Sequence, residues 1–266
     1  MLPDPLPDPF KGFDPAQPVV VLPRHLAGPG QADLRTIWPF PFDDGWHLHP
    51  ADEGMVFASS PCARLWTRFA PAPERRGKGT WTIGANRIPF GPRAWQITLD
   101  ATTPAELLRD VHAELLDLYL EDRSSDQDPL FEDATAPHEV YTPLLARGWS
   151  HSVKTDGTQT FLAPERLGSV RHRYATTGSD GPIWRAWGGD PSEPHWQARF
   201  SFGAPTTLAA AFTASLVSTE PLQRTVQDVP FHTRRHLYAA PAAAKQPPTS
   251  PTPAPPTAAA PVGRTR

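Results

Sequence analysis

The chain contains itself twice. Displaced by 103 residues, Gly45-Trp46 falls on Gly148-Trp149, Pro61 on Pro164, Arg68 on Arg171 and Trp81 on Trp184. Shortened by two, the offset carries the match onward: Trp95 on Trp196, Pro104 on Pro205, Leu107 on Leu208, Val111 on Phe212 and Leu115 on Leu216. A register that survives across so many positions with one small gap demands two copies of a single folding unit. At 266 residues the length agrees, since domains run to about 100–200 residues.

Each copy has the same local order. A segment ending in Gly-Trp leads to a strand, and a second short strand follows at Met55–Ser59 or Gln159–Leu162. Proline closes it, and the third strand is Arg64–Phe69 or Ser169–Tyr174. Apolar and polar residues alternate in the first of these, which puts Leu65 and Phe69 on one face and Trp66 and Arg68 on the other. The strand holding Trp81 or Trp184 comes next, and then Trp95–Leu99 or Trp196–Phe202. A helix ends each copy. Thr103-Pro104-Ala105-Glu106 predicts its start, with Thr as N-cap, Pro in the first turn and Glu three residues after the cap. Leu107, Val111, Leu115 and Leu118 then recur at helical spacing. The expected fold class is α+β: two tandem homologous domains, each a short antiparallel β-meander covered by a C-terminal α-helix.

Boundaries follow from composition. Residues 1–18 alternate proline with aspartate or apolar residues and predict a disordered Pro-rich arm. The first domain spans 19–120 and the second 140–238. Between them, 121–139 hold seven acids (Glu121, Asp122, Asp126, Asp128, Glu132, Asp133, Glu139) against Arg123, and predict a solvated acidic linker. Residues 239–266, rich in Ala, Pro and Thr, predict a disordered tail. The tryptophans lie almost wholly inside the copies and predict two modest cores.

Bulk properties exclude several classes. Cys62 is the only cysteine, so no intrachain disulfide forms. No basic start leads into an apolar run and no stretch approaches the ~18 apolar residues of a membrane span, so a cytoplasmic location without a membrane role is the expectation. The net charge of −3 is too small to imply a polyanionic partner for the whole molecule.

At the repeated positions the chain resembles an actinobacterial family named for an SPDY tetrapeptide, a domain of unknown function. The residues that carry the likeness are Gly45-Trp46, Ser60-Pro61, Trp81, Trp95 and Thr103-Pro104 in the first copy. Their counterparts are Gly148-Trp149, Ala163-Pro164, Trp184, Trp196 and Ala204-Pro205. The opening Leu22-Pro23-Arg24-His25-Leu26-Ala27-Gly28 looks like a family leader. The tetrapeptide itself is degraded to Ser60-Pro61-Cys62-Ala63 and Ala163-Pro164-Glu165-Arg166. The resemblance implies a fold unit and no mechanism.

Candidate chemistry is sparse. His47 and His49 share a strand face with Asp52 and Glu53 just beyond, but the second copy has Ser150 and Ser152 there, so a solvated strand end is expected rather than a metal site. Cys62 lacks a catalytic signature, and Gly-rich phosphate loops, zinc-protease and nucleophile-elbow motifs are missing. No cofactor or metal is expected. What recurs is Trp, Gly, Pro, Leu and one Arg, which predicts a non-enzymatic macromolecular binding or scaffolding protein with an unidentified protein partner. The binding residues expected are Arg68, Arg171 and Arg173, the loop residues Arg75, Arg76 and Lys78, and the matched pair Trp81 and Trp184, if surface-exposed. Two alternatives stay open: nucleic-acid binding through Arg68, Arg171 and the basic loops, and an enzyme with a site between the two domains.

Overall fold

The computed structural model describes residues 8–30, 33–72, 79–132, 135–174 and 181–242. Its elements are β1 (Pro18–Leu22), α1 (Leu34–Ile37), β2 (His47–Pro50), β3 (Val56–Ser59), β4 (Leu65–Pro71), β5 (Gly79–Asn86), β6 (Arg93–Asp100) and α2 (Ala105–Ser124). They continue with α3 (His138–Ala146), β7 (Ser150–Val153), β8 (Gln159–Leu162), β9 (Gly168–His172), β10 (Trp184–Gly189), β11 (Pro194–Phe200), α4 (Thr206–Leu216), β12 (Leu222–Thr225) and β13 (Tyr238–Pro241). The chain is α+β. Among the described residues no helix is long and apolar enough to cross a membrane.

Where the sequence reads as two cores, the structure joins them. Ten strands form one sheet in the order β2-β3-β4-β5-β6-β11-β10-β9-β8-β7, and the copies meet where β6 pairs antiparallel with β11. Ile97 faces Phe200, Thr98 faces Arg199 and Leu99 faces Ala198. Side chains extend the junction at both ends: Gln96 N–H donates to Ser201 Oγ at 2.8 Å and Gln197 N–H to Asp100 Oδ2 at 2.9 Å. The inward side chains of both edges are apolar, so pairing the two strands keeps Ile97, Leu99, Ala198 and Phe200 from water and satisfies the open backbone groups of each edge.

All four helices share one hydrophobic cluster with the inner face of this sheet. Leu65, Ile83, Ile97, Leu99, Ala198 and Phe200 from the strands meet Leu107, Val111, Leu115, Leu208, Phe212 and Leu216 from α2 and α4. Trp81 and Trp184, both 3% exposed, belong to this core, which takes them out of any binding surface. The last-strand tryptophans do different work in the two copies. Trp95 Nε1 donates to Leu130 O at 2.8 Å, whereas Trp196 Nε1 donates to His25 O at 3.0 Å. One pins the segment between the copies and the other pins the leader.

Three local expectations are corrected. Thr103 makes no cap: α2 begins at Ala105 without a side-chain cap bond, its N–H donating to Pro29 O at 3.1 Å. Glu106 instead holds the buried guanidinium of Arg224 at 2.7 and 2.9 Å. The acidic run is not a plain linker: residues 121–124 finish α2, Arg64 bridges Asp122 and Asp128 at 3.1 and 3.0 Å and Leu130 is fully buried, while Glu121, Asp126 and Glu132 stay exposed. From Asp8 onward the N-terminal arm is ordered, since Phe10 sits in a second small core with Val19, Val21, Leu222 and Leu237. That core belongs to a three-stranded sheet of order β12-β1-β13, built from sequence outside the repeats. Of the tail expected at 239–266, Ala239–Pro241 lie in β13 and residues 243–266 are outside the described part.

The degraded tetrapeptide is the turn between second and third strands of each copy. Ala63 N–H donates to Ser60 O and Arg166 N–H to Ala163 O, both at 2.9 Å. The fourth residue takes a left-handed backbone in each, at φ 54° for Ala63 and 64° for Arg166. The Gly-Trp entries share the same logic. Gly45 and Gly148 stand at φ 81° and 76°, a conformation that costs glycine nothing, and so aim Trp46 and Trp149 into the core.

Candidate functional site

With the helices on one face, the other face of the ten-stranded sheet carries the side chains that alternate outward. Strand pairing lines ten of them up in one unbroken cross-strand row. From edge to edge it reads His49, Phe57, Arg68, Thr82, Thr98, Arg199, Arg185, Arg171, Thr160 and Ser152. The row is symmetric about the β6–β11 junction. Arg68 mirrors Arg171, Thr82 mirrors Arg185 and Thr98 mirrors Arg199, the same pairs that the repeat offsets align.

The second copy therefore places three arginines on adjacent strands, about 4.8 Å from one strand to the next. Like charges facing each other across strands are destabilising, and Arg185 in the middle shows the effect. Burial, then Arg199 and Arg171, lower its hold on the proton. Among the described residues only neutral groups moderate the row. Gln197 Oε1 accepts from Arg185 Nη2 at 2.8 Å and from Arg199 Nη2 at 3.2 Å. Trp187 lies under Arg171 and Arg185, whose guanidinium carbons stand 5.4 and 5.8 Å from its ring centroid. Among the described residues no carboxylate comes within ion-pair reach of Arg68, Arg171, Arg185 or Arg199. Arg171 Nε, Arg185 Nε and Trp187 Nε1 are buried donors without an acceptor among those residues.

The first copy presents a different surface on the same face. A groove of about 840 Å³ is lined by His47, His49, Met55, Phe57, the turn Ser60–Ala63, Trp66, Arg68, Asn86 and Phe90. Its rings run side by side: His49 to Phe57 and Phe57 to Trp66 are each 6.2 Å between centroids. Arg68 closes one end, 6.0 Å from the Trp66 ring. Cys62 is a partly buried wall residue, 3.3 Å from Ser60 Oγ.

The expected site residues fare unequally. Arg68 and Arg171 come together on one row, five strand spacings or roughly 24 Å apart. Arg173 is exposed just beyond the end of β9. Arg75, Arg76 and Lys78 lie outside the described residues. Arg234, in the basic run Arg234-Arg235-His236, is spent internally, donating to Val229 O and Val226 O and lying over Phe10. His47 and His49 line the groove, and among the described residues no group of three or more His, Cys, Asp or Glu could hold a metal ion. Sequence reasoning missed Arg185, Arg199 and Trp187. The signal was present, since Arg185 and Trp187 share a strand face by period two, but neither matches the first copy.

A second hollow, of about 690 Å³, lies where the copies meet and is lined by Asp100, Thr102, Asp190, Glu193, His195 and His232. This is where an enzyme working between the copies would place its site. Asp190 is committed to its own turn, accepting from Ser192 N at 2.8 Å, and Asp100 to the strand junction.

The family model described as SPDY, domain of unknown function (DUF317), matches residues 59–120 and 166–222. The first match starts at the hairpin turn and runs to α2; the second starts at the equivalent turn and runs past α4. No curated protein and no solved structure matches the chain.

Proposed function

The chain carries two tandem SPDY-type domains, and from the outer face they share we propose that it is a binding protein that takes single-stranded nucleic acid across the sheet. One observation carries the reading: Arg68, Arg199, Arg185 and Arg171 lie on a single row with no described carboxylate to neutralise them. Guanidinium groups suit phosphate because their planar donors meet its oxygens in pairs. A row of such cations repels itself until an anion arrives, so a ligand with evenly spaced phosphates relieves what folding has concentrated there. The small net charge of −3 does not oppose this, since local clustering sets the field at a surface. A protein partner would have to bring a strip of carboxylates of matching length to neutralise the same row.

Salt dependence tests the proposal. A fluorescein-labelled oligothymidylate of about 12 nucleotides suits a surface of this kind. Four phosphate contacts on a single strand give a slope of log K against log salt of about −2.8. The Arg185→Glu, Arg199→Glu double variant, checked for folding by circular dichroism, abolishes that binding. A flat salt response, or no change in anisotropy up to high protein concentration, refutes the proposal.

A further inference from the structure

We infer that the two copies divide the work of holding that strand: the groove of the first copy stacks its unpaired bases on Phe57 and Trp66, while the arginines of the second hold its phosphates. The inference rests on the nucleic-acid reading above and adds which part of the ligand each copy reads.

The floor of the groove is built for planar rings. Trp66 lies flat on the sheet because Gly84 faces it, and a Cβ at Gly84 would run into the indole ring. Phe57 and Trp66 are within 19° of parallel with centroids 6.2 Å apart. Rings that stack face to face in this protein, Phe40 on Trp46, stand 3.9 Å apart. Phe57 and Trp66 are therefore an offset pair, each half-buried with part of its ring lining the groove. Phe90, 91% exposed, stands over the same groove as a wall.

The second copy has no such floor. Thr160 and Ser169 occupy the positions of Phe57 and Trp66. Its outward tryptophan, Trp187, has moved to the strand of Gly84, where it faces Ser169 and is only 9% exposed beneath two guanidinium groups. Arg68 belongs to both surfaces, ending the row and closing the groove. A strand whose phosphates follow the row thus reaches the groove at Arg68. The occupant is a nucleobase rather than an apolar peptide because Arg68, on the same cross-strand row as the second copy's three arginines, closes the groove. It is an unpaired base because a duplex hides the faces of its rings.

The test uses the intact chain and three labelled probes of equal phosphate number: oligothymidylate, an abasic strand of the same length, and a duplex. The expected order is oligothymidylate tightest, with the abasic strand weaker by about tenfold or more, since stacking supplies most of that difference. Trp66→Ala brings oligothymidylate down to the abasic level and leaves abasic binding unchanged, and Gly84→Ala does the same by lifting the ring. Should those variants fail to fold, the abasic comparison on the unaltered chain decides alone. Equal affinity for oligothymidylate and the abasic strand overturns the inference while the nucleic-acid reading stands. Absence of binding to every probe overturns both. Displacement of oligothymidylate by polyglutamate as readily as by unlabelled strand also overturns both, in favour of an acidic peptide.

Discussion

The two copies agree on their inner faces and disagree on their outer ones. Toward the helices the same residue types return: Trp81 and Trp184, Trp95 and Trp196, Leu107 and Leu208, Leu115 and Leu216, all buried. On the outer row the first copy reads His49, Phe57, Arg68, Thr82, Thr98 where the second reads Ser152, Thr160, Arg171, Arg185, Arg199. Even the outward tryptophan is kept by exchange, Trp66 over Gly84 in one copy and Trp187 opposite Ser169 in the other. The difference teaches where constraint acts. A packed interior tolerates few changes of volume, while an exposed face can trade rings for charges at little cost to folding. The copies are one scaffold with two surfaces.

The largest expected effect probes the agreement. Trp95→Ala and Trp196→Ala remove fully buried rings in equivalent places, and each lowers stability by about 3–5 kcal/mol. Because both copies share one core, either variant unfolds the whole repeat region in a single urea transition. Two separated transitions would break the account of one joined core.

The interiors differ at two buried histidines, His112 in the first copy and His172 in the second, the latter standing where the first copy has Phe69. His112 is fully buried, its Nδ1 donating to Leu108 O at 2.8 Å and its Nε2 accepting from Thr67 Oγ1 at 3.0 Å, and its counterpart in the second copy is Thr213. Burial lowers its pKa to about 4. The folded state thus holds the ring neutral while the unfolded chain protonates it below about 6.5. Stability from this group is complete above the unfolded pKa and falls as pH drops from about 6.5 toward 4, by about 3 kcal/mol at most. Urea midpoints measured across that window show the loss, and His112→Thr, which copies the second copy, removes this ring's share and leaves that of His172, which burial likewise lowers to about 4.

A milder change makes the outer faces alike. Arg199→Thr gives the second copy the residue of Thr98, removing one phosphate partner. The salt slope then becomes shallower by about 0.7 with folding unaffected. An unchanged slope would mean that the row does not act as a unit. The smallest effect lies in the shared turn. Ala63→Gly and Arg166→Gly each relieve a left-handed backbone in a residue with a Cβ and raise stability by roughly 1 kcal/mol, read as small increases in Tm. Equal gains in both copies would sharpen the equivalence of the turns.

Much of the local structure was legible in the residues. Alternation in Leu65–Phe69 separated the core side of that strand from the side of Trp66 and Arg68, and the structure keeps that division. The leucine spacing of α2 marked its buried stripe. The helix start was misread because Thr103 and Glu106 look like a local capping pair, whereas Arg224, distant in sequence, claims the glutamate. The acidic run looked like a plain linker because the arginine that ties Asp122 and Asp128, Arg64, lies far away in sequence at the start of the repeat's third strand. The candidate site was half visible. Arg68 and Arg171 stood out because the repeat matches them, and Arg185 and Arg199 were passed over because it does not.

By itself the sequence determined that there are two copies, the apolar stripe of the helix that ends each one, and the turn between the second and third strands. Those properties depend on neighbours a few residues apart, and periodicity records them. Only the tertiary structure decided that β6 joins β11, and with that junction came one core and one ten-strand row. Register between distant strands is set by the mutual fit of two edges and by the helices that cover them. No periodicity within a single strand contains that information, so four arginines scattered over more than a hundred residues became neighbours only on folding.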